Sequence, residues 1–247
     1  MRVIVNGAGG RMGKEVMKLV GDGMRNSVLA AAVDVNVPSF EKYPVFEHIA
    51  DFTGEADVII DFSFHTSCGE LCDYAVKHGI PMVIATTGHT DEEKKIIEEA
   101  SKSVAVFMTA NYSVGIALLC ELAVTAAKNL PDADIEIVEK HHNRKMDAPS
   151  GTALLIADCI KKVRESAEYV FGRHGQGKRK KEEIGIHALR LGNIVGEHEV
   201  IISTDNETLT LKHEARSRAL FAEGAVAAAD FIKDKPCGMY GMSDMIG

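Results

Sequence analysis

The residue types best suited to chemistry crowd into one stretch, Glu139 to Ala153, which reads EKHHNRKMDAPSGTA. His141 and His142 adjoin, Arg144 and Lys145 follow, and Asp147 precedes Pro149-Ser150-Gly151-Thr152 at the start of an apolar, helix-spaced run. A histidine exchanges its proton near neutrality, its ordinary pKa being about 6.5. A lysine offers a compact charge and three donors. Ser150, Gly151 and Thr152 fall where a helix begins, and the N–H groups and dipole of a helix start favour a carboxylate or phosphate. As a site, the stretch grips two anionic groups of a small substrate while His141 and Lys145 handle protons. As plain structure, it is a polar loop ending in an N-cap at Ser150. On this stretch alone both readings stand.

A second feature lies at the N-terminus. Arg2-Val3-Ile4-Val5 has the apolar run of a buried parallel strand, and GAGGRMG, residues 7–13, leads into a helix-spaced pattern at Met12, Val16, Leu19 and Val20. Strand, glycine turn and helix start are the context of a dinucleotide fingerprint. The match to GxGxxG is loose, because Gly7 and Gly9 fit while Met12 holds the third place and Gly13 comes one later; a bare tight turn is the alternative. The second apolar run ends in Asp34, 21 residues after Gly13. A carboxylate there can bind the adenosine ribose hydroxyls. Val35-Asn36-Val37-Pro38 supplies no cation for a 2′-phosphate, unless Arg11 swings across, so NADH is expected in preference to NADPH.

These two features need elements to carry them. Strand-like runs at 58–62, 81–85 and 104–108 alternate with helical stretches at about 66–78 and 91–103, which predicts a doubly wound parallel sheet. Ligands of such sheets sit at the carboxyl ends of strands, where Phe62, Thr86, Thr87, Ala110 and Asn111 fall. Phe62 suits either a nicotinamide contact or the core. From 113 the pattern changes to a helix ended by Pro131, a strand at 134–141, a helix at 152–163, three β-rich segments near 184–190, 196–204 and 207–213, and a helix at 219–232. This predicts a separate α+β domain. At period two, Ile135, Ile137, Glu139 and His141 share one strand face.

Composition narrows the function classes. The chain has 247 residues, 46% hydrophobic, and a net charge of −8, which disfavours general nucleic-acid binding. The basic run Lys178-Arg179-Lys180-Lys181 reads as a solvated loop. Five cysteines, without CxxC spacing, fit reduced packing residues in the cytoplasm. No charged n-region with a cleavage site opens the chain, no apolar run approaches a membrane span, and no metal-ligand spacing occurs, His187, His198 and His213 falling in separate strands. Two rival functions remain in view. A semialdehyde dehydrogenase needs an activated cysteine, whereas Cys120 and Cys159 lie in apolar helical runs. A non-catalytic nucleotide sensor has no use for His141 and Lys145.

These motifs together resemble the dihydrodipicolinate (4-hydroxy-tetrahydrodipicolinate) reductase family over nearly the whole chain. The resemblance rests on GAGGRMG at 7–13, ATTG at 85–88, NYSVG at 111–115, and above all HHNRKMDAPSGT at 141–152, with GEH at 196–198, GMY at 238–240 and MSD at 242–244. It implies a Rossmann-type domain (1–112), a substrate-binding and oligomerisation domain with a mixed, largely open sheet (113–218), and a C-terminal helix and tail that return to the first domain (219–247). It implies a homotetramer that reduces the cyclic imine of 4-hydroxy-tetrahydrodipicolinate with NADH or NADPH in the diaminopimelate route to lysine. The positions matching His141 and Lys145 are proton-handling, and those matching His142, Gly151 and Thr152 contact a small dicarboxylate substrate, with Ser150 beside them. Gly7, Ala8, Gly9, Gly10, Arg11, Met12, Asp34, Ala85, Thr86, Thr87, Thr109, Ala110, Asn111 and Tyr112 match cofactor-contacting positions. Arg218 is a candidate hinge or cofactor-side residue. Two departures stand out: a usual glycine is Ala85, and a frequent arginine after the second-strand acid is Val35. Hydride transfer requires close approach of the reacting carbons, which predicts domain closure on hinges near Ser113 and Arg218.

Overall fold

A computed structural model describes residues 1–36 and 43–247; Val37 and Pro38, counted above among the residues without a cation, lie outside the described residues. In chain order the elements are β1 (Arg2–Asn6), α1 (Arg11–Gly21), β2 (Val28–Val33), β3 (Val45–Phe46), β4 (Val58–Asp61), α2 (Cys68–His78), β5 (Met82–Ile84), α3 (Asp91–Ala100) and β6 (Ala105–Met108). They continue with α4 (Val114–Asn129), β7 (Asp134–His141), α5 (Gly151–Lys161), β8 (Glu168–Phe171), β9 (Glu183–Arg190), β10 (Gly196–Ser203) and β11 (Thr208–Ala215). The last are α6 (Ala219–Ile232), β12 (Gly238–Tyr240) and α7 (Met242–Ile246).

Two compact units result, one of Met1–Ser113 with Ala219–Gly247 and one of Val114–Arg218. The first holds a seven-stranded sheet in the order β12-β6-β5-β4-β1-β2-β3, parallel throughout. Its central strands are apolar on both faces because helices cover both; Val3, Ile4, Val5, Val58, Ile59 and Ile60 have no exposed surface. Each such side chain contributes about 1.5–3 kcal/mol by leaving water. The strand order reverses between β1 and β4, which places a crevice at their carboxyl ends. Capping is local: the Thr90 hydroxyl accepts from the Glu93 N–H at 3.2 Å while Glu93 accepts from the Thr90 N–H at 2.7 Å.

The second unit holds a mixed sheet, β11-β10-β7-β9-β8. β10 runs antiparallel to β7 and β11, while β9 runs parallel to β7 and β8. Alternation along β7 buries Ile135, Ile137, Glu139 and His141 and leaves the residues between them at the other face. Ile156 and Ile160 of α5 pack on that buried face with Ile186 and Val200.

Several details differ from the sequence-based expectation. β3, β8 and β12 were not anticipated, being too short to carry a period. A 3-10 turn at His65–Ser67 precedes α2, so that helix begins at Cys68. The basic run is not wholly solvated: Arg179 bonds the Asp134 carboxylate at 2.7 Å and the Glu136 carboxylate at 3.3 Å, and so pins its loop to β7. Cys68, Cys72 and Cys120 are buried, Cys159 half-buried and Cys237 exposed, all as free thiols. Among the described residues, no helix is long and apolar enough to cross a membrane, and no group of three or more His, Cys, Asp and Glu is placed to hold a metal ion.

Candidate active site

In the first unit the glycine turn shapes a cleft of about 620 Å³ at the ends of β1, β2 and β4, lined by Gly7, Gly9, Gly10, Asp34, Phe62 and Phe64 among others. Gly7 takes a positive φ of 77°, and a Cβ there would stand 2.4 Å from the Phe62 carbonyl oxygen. Only glycine fits such a place. No side chain caps α1 at Gly10, so the helix start faces the cleft with its donors available to an anion. Asp34 stands beside it, accepting from the Gly9 N–H and the Asn36 N–H, each at 2.9 Å. A glycine cradle, an uncapped helix start and an acid at the end of β2 fit a dinucleotide.

The remaining expected cofactor residues divide by what their side chains do. Arg11, Thr87 and Ala110 are exposed, Met12, Ala85, Thr109 and Asn111 half-buried, and Ala8 buried. Thr86 is buried and donates its hydroxyl hydrogen to Asp61 at 2.6 Å. Tyr112 is likewise turned inward: its hydroxyl donates to the Ile84 carbonyl at 2.8 Å and lies 3.2 Å from that of Phe107. Phe62 keeps partial exposure on the cleft wall, 6.4 Å between ring centroids from Tyr112. Asp61, which no motif singled out, knits these strand ends together. It accepts from Asn6 at 2.8 Å, from the Ser63 hydroxyl at 2.5 Å and from Thr86. Burial pushes its carboxyl up, and those donors oppose the shift.

In the second unit β7 and α5 build the other constellation. His141 ends β7 on the buried face, and its Nδ1 lies 2.6 Å from a Glu139 carboxylate oxygen. Glu139 has no exposed surface. Arg190 grips it with two N–H groups, each at 2.8 Å, and the Ser150 N–H adds a bond at 3.0 Å. Burial alone would raise the Glu139 carboxyl, but the His141, Arg190 and Ser150 donors outweigh it and hold it at about 2. Nδ1 of His141 therefore donates to an ionised carboxylate. The His141 and His198 rings meet edge to face, 5.2 Å between centroids. Burial pushes His198 down to about 4, with the neighbouring His141 acting the same way.

The Ser150 side chain is not offered to a ligand. Its hydroxyl oxygen accepts from the Ala153 N–H at 3.2 Å, lies 3.2 Å from His198 Nε2, and is buried. The plain-structure alternative, an N-cap, is what that hydroxyl does. Lys145 pairs with the Asp147 carboxylate at 2.8 Å. Lys145 holds Asp147 below the usual carboxylate range, and the Gly151 N–H adds to this. A carboxylate thus already rests where a cation and the start of α5 converge. Thr152 is half-buried beside them. His142 is half-buried, its Nδ1 without a hydrogen-bond partner among the described residues. Desolvation lowers its pKa, helped by the charges of Arg144 and Arg218. Arg218 is exposed and closes the second unit, on the His142 side. Glu139, Arg190 and His198 were not singled out as candidate site residues; the available signals were Glu139 sharing His141's strand face two positions away and His198 closing the Gly196-Glu197-His198 motif.

Residues 1–112 match the family described as dihydrodipicolinate reductase, N-terminus, and residues 115–246 match dihydrodipicolinate reductase, C-terminus. The chain belongs to the dihydrodipicolinate reductase family. Relatives named 4-hydroxy-tetrahydrodipicolinate reductase include one from Caldanaerobacter subterraneus subsp. tengcongensis, 49% identical over 100% of this chain and 98% of that protein. Another, from Clostridium tetani, is 45% identical over 100% of this chain and 97% of its own. Among solved structures, a dipicolinate-bound dihydrodipicolinate reductase from Paenisporosarcina sp. TG-14 superposes with a TM-score of 0.82, 26% identity, and coverage of 100% of this chain and 99% of that one. A probable dehydrogenase from Thermotoga maritima shares the fold alone, with a TM-score of 0.67 at 12% identity over 99% of this chain and 92% of that one. The family's two parts meet between residues 112 and 115, where β6 has ended and α4 begins.

Proposed function

We propose that this protein reduces the cyclic imine of 4-hydroxy-tetrahydrodipicolinate to tetrahydrodipicolinate, in the diaminopimelate route to lysine. The observation that carries the reading is the meeting of Lys145, the Asp147 carboxylate and the Gly151 N–H, a carboxylate-binding arrangement one short loop from His141. A ring with two carboxylates would place one of them there, held by Lys145 and the start of α5, with Thr152 and His142 beside it. NAD(P)H, bound at Gly7–Met12, Asp34 and the strand ends at Ala85–Thr87 and Thr109–Tyr112, supplies the hydride. The carbon that accepts hydride leaves a ring neighbour in need of a proton, and Lys145 or protonated His141 delivers it. His141 keeps Nε2 for this work because Nδ1 is committed to Glu139.

Further parts of the reading follow. Asp34, with two backbone N–H groups on its oxygens and Val35 after it, favours NADH, because a 2′-phosphate would meet a carboxylate. In this reading residues 1–112 bind the dinucleotide, 113–218 bind substrate and oligomerise, and 219–247 complete the first part, the whole forming a homotetramer in the cytoplasm, as the resemblance of the sequence motifs implies. The test is direct. Reduced-nicotinamide absorbance is followed after mixing the protein with NADH and freshly made cyclic imine. Turnover is the expected result; NADH binding without any oxidation in the presence of the imine would overturn the proposal and favour a nucleotide sensor.

A further inference from the structure

His141 is held from behind by a carboxylate that is itself neutralised. Glu139 sits on the same strand face, two residues back, and takes the Nδ1 hydrogen at 2.6 Å. Arg190, on the neighbouring strand β9, faces both Glu139 oxygens with a two-pronged fork at 2.8 Å. A third donor, the Ser150 N–H at 3.0 Å, fixes the carboxylate's rotation. Room on the far side of the ring comes from Gly196: a Cβ there would stand 3.0 Å from His141 Nε2 and 3.4 Å from Cδ2. The other titratable groups near the ring are His198 on β10, at 5.2 Å between ring centroids, and His142, next in the chain, while Lys145 in the following loop acts on both of those histidines. None of these is an anion, so Glu139 is the negative charge nearest His141 and Arg190 is its counterion.

The physics of this trio is specific. An unpaired carboxylate beside a histidine favours imidazolium and makes it a reluctant donor, whereas an unpaired guanidinium drives the proton off. Paired bidentately, the two charges largely cancel at His141, while the hydrogen bond to Nδ1 persists and sets tautomer and ring orientation.

We propose that Glu139 and Arg190 are positioning residues that form a neutral clasp for His141, with Glu139 fixing the Nδ1–H tautomer so that Nε2 faces the ligand, and Arg190 cancelling Glu139's charge so that His141 can change protonation state. The catalytic part of this rests on the reading that His141 moves a proton. The clasp itself does not, which separates the two in experiment.

The test uses the full chain with 15N-labelled histidine, following ring nitrogens by long-range 1H–15N correlation across pH in the wild type, Glu139→Gln and Arg190→Gln, with His141→Gln to assign the signals. The wild type is expected to carry the neutral proton on Nδ1, and Glu139→Gln to lose that preference. The His141 titration, and the limb of the kcat/KM profile that follows it, should move down by about one pH unit or more in Glu139→Gln, where Arg190 is left unopposed, and up by about as much in Arg190→Gln, where Glu139 is left unopposed. The opposite signs are the diagnostic, since loss of packing alone would not move the two variants apart. Circular dichroism identifies a variant that fails to fold, in which case the other decides. An unchanged tautomer in Glu139→Gln, or movement of both variants in the same direction, overturns the clasp. Absence of turnover in a wild type whose His141 tautomer depends on Glu139 counts against the proposed function and leaves the clasp standing.

Discussion

The backbone N–H of Ser150 donates to the Glu139 carboxylate at 3.0 Å, across eleven residues of chain. This bond ties the start of α5 to the strand that carries His141. His141 and the start of α5, proposed above to move a proton and to hold an anion, are therefore tied together, and the loop between them, with Lys145, is held at both ends.

That tie separates what Ser150 does from what its neighbours do. Ser150→Ala removes a helix cap and a partner of buried His198, so stability to urea should fall by about 1–2 kcal/mol. The hydroxyl is buried, so the Kd for pyridine-2,6-dicarboxylate by calorimetry should change by less than ~3-fold, below about 0.7 kcal/mol. A large loss of diacid affinity with unchanged stability would mean that the hydroxyl reaches the ligand.

For proton transfer, His141→Gln and Lys145→Ala should each lower kcat by ~10²–10⁴-fold. The NADH Kd from fluorescence titration should stay near the wild-type value, because neither residue belongs to the glycine cleft. Near-normal turnover in either variant would remove that residue from the reaction.

Asp34 should set cofactor choice. Steady-state KM is expected to favour NADH over NADPH by ~10-fold or more, a difference of about 1.4 kcal/mol. Asp34→Ala combined with Val35→Arg should reverse the order by exchanging a carboxylate for a cation beside the 2′ position. A wild-type preference for NADPH would refute the assignment.

Gly13 should matter more than its place outside the strict fingerprint suggests. A Cβ at Gly13 would fall 2.0 Å from the Gly7 carbonyl oxygen. Gly13→Ala must push the start of α1 away from the turn, at a cost of about 1–3 kcal/mol. The expected readouts are a lower melting temperature and NADH binding weakened by ~10-fold or more; unchanged values of both would show that the turn yields freely.

His198 should make the protein sensitive to mild acid. Its folded pKa of about 4 lies below the ordinary histidine value. Between about pH 6.5 and 4 the unfolded chain therefore binds a proton that the folded chain does not, and stability falls as pH falls through that window, by up to about 3 kcal/mol. His198→Asn should flatten the dependence of urea-unfolding free energy on pH over this range. Glu139 acts lower on the scale: its depressed pKa of about 2 contributes stability that is present above the ordinary carboxylate value near 4.3 and is lost toward about pH 2. An unaltered slope in His198→Asn between pH 6.5 and 4 would assign the acid sensitivity elsewhere.

Local pattern determined a good deal by itself. The alternation of apolar runs with helix-spaced stretches specifies a parallel sheet, because strands buried on both faces must be apolar throughout. The period-two spacing along β7 already puts Glu139 and His141 on one buried face, and the 219–232 helix is legible because its apolar residues are continuous. The glycine turn, the acid at Asp34 and the motif at 141–152 were readable because each compresses its chemistry into neighbouring positions. Tertiary structure decided the rest, for a consistent reason: partnerships between distant positions leave no local period. That Arg190 neutralises Glu139, that Thr86 spends its hydroxyl on Asp61, that Tyr112 points inward, and that His198 closes over the Ser150 hydroxyl all depend on strand register and crossover. Such pairings exist only once β4, β5 and β6 lie side by side in the first sheet, and β7, β9 and β10 in the second.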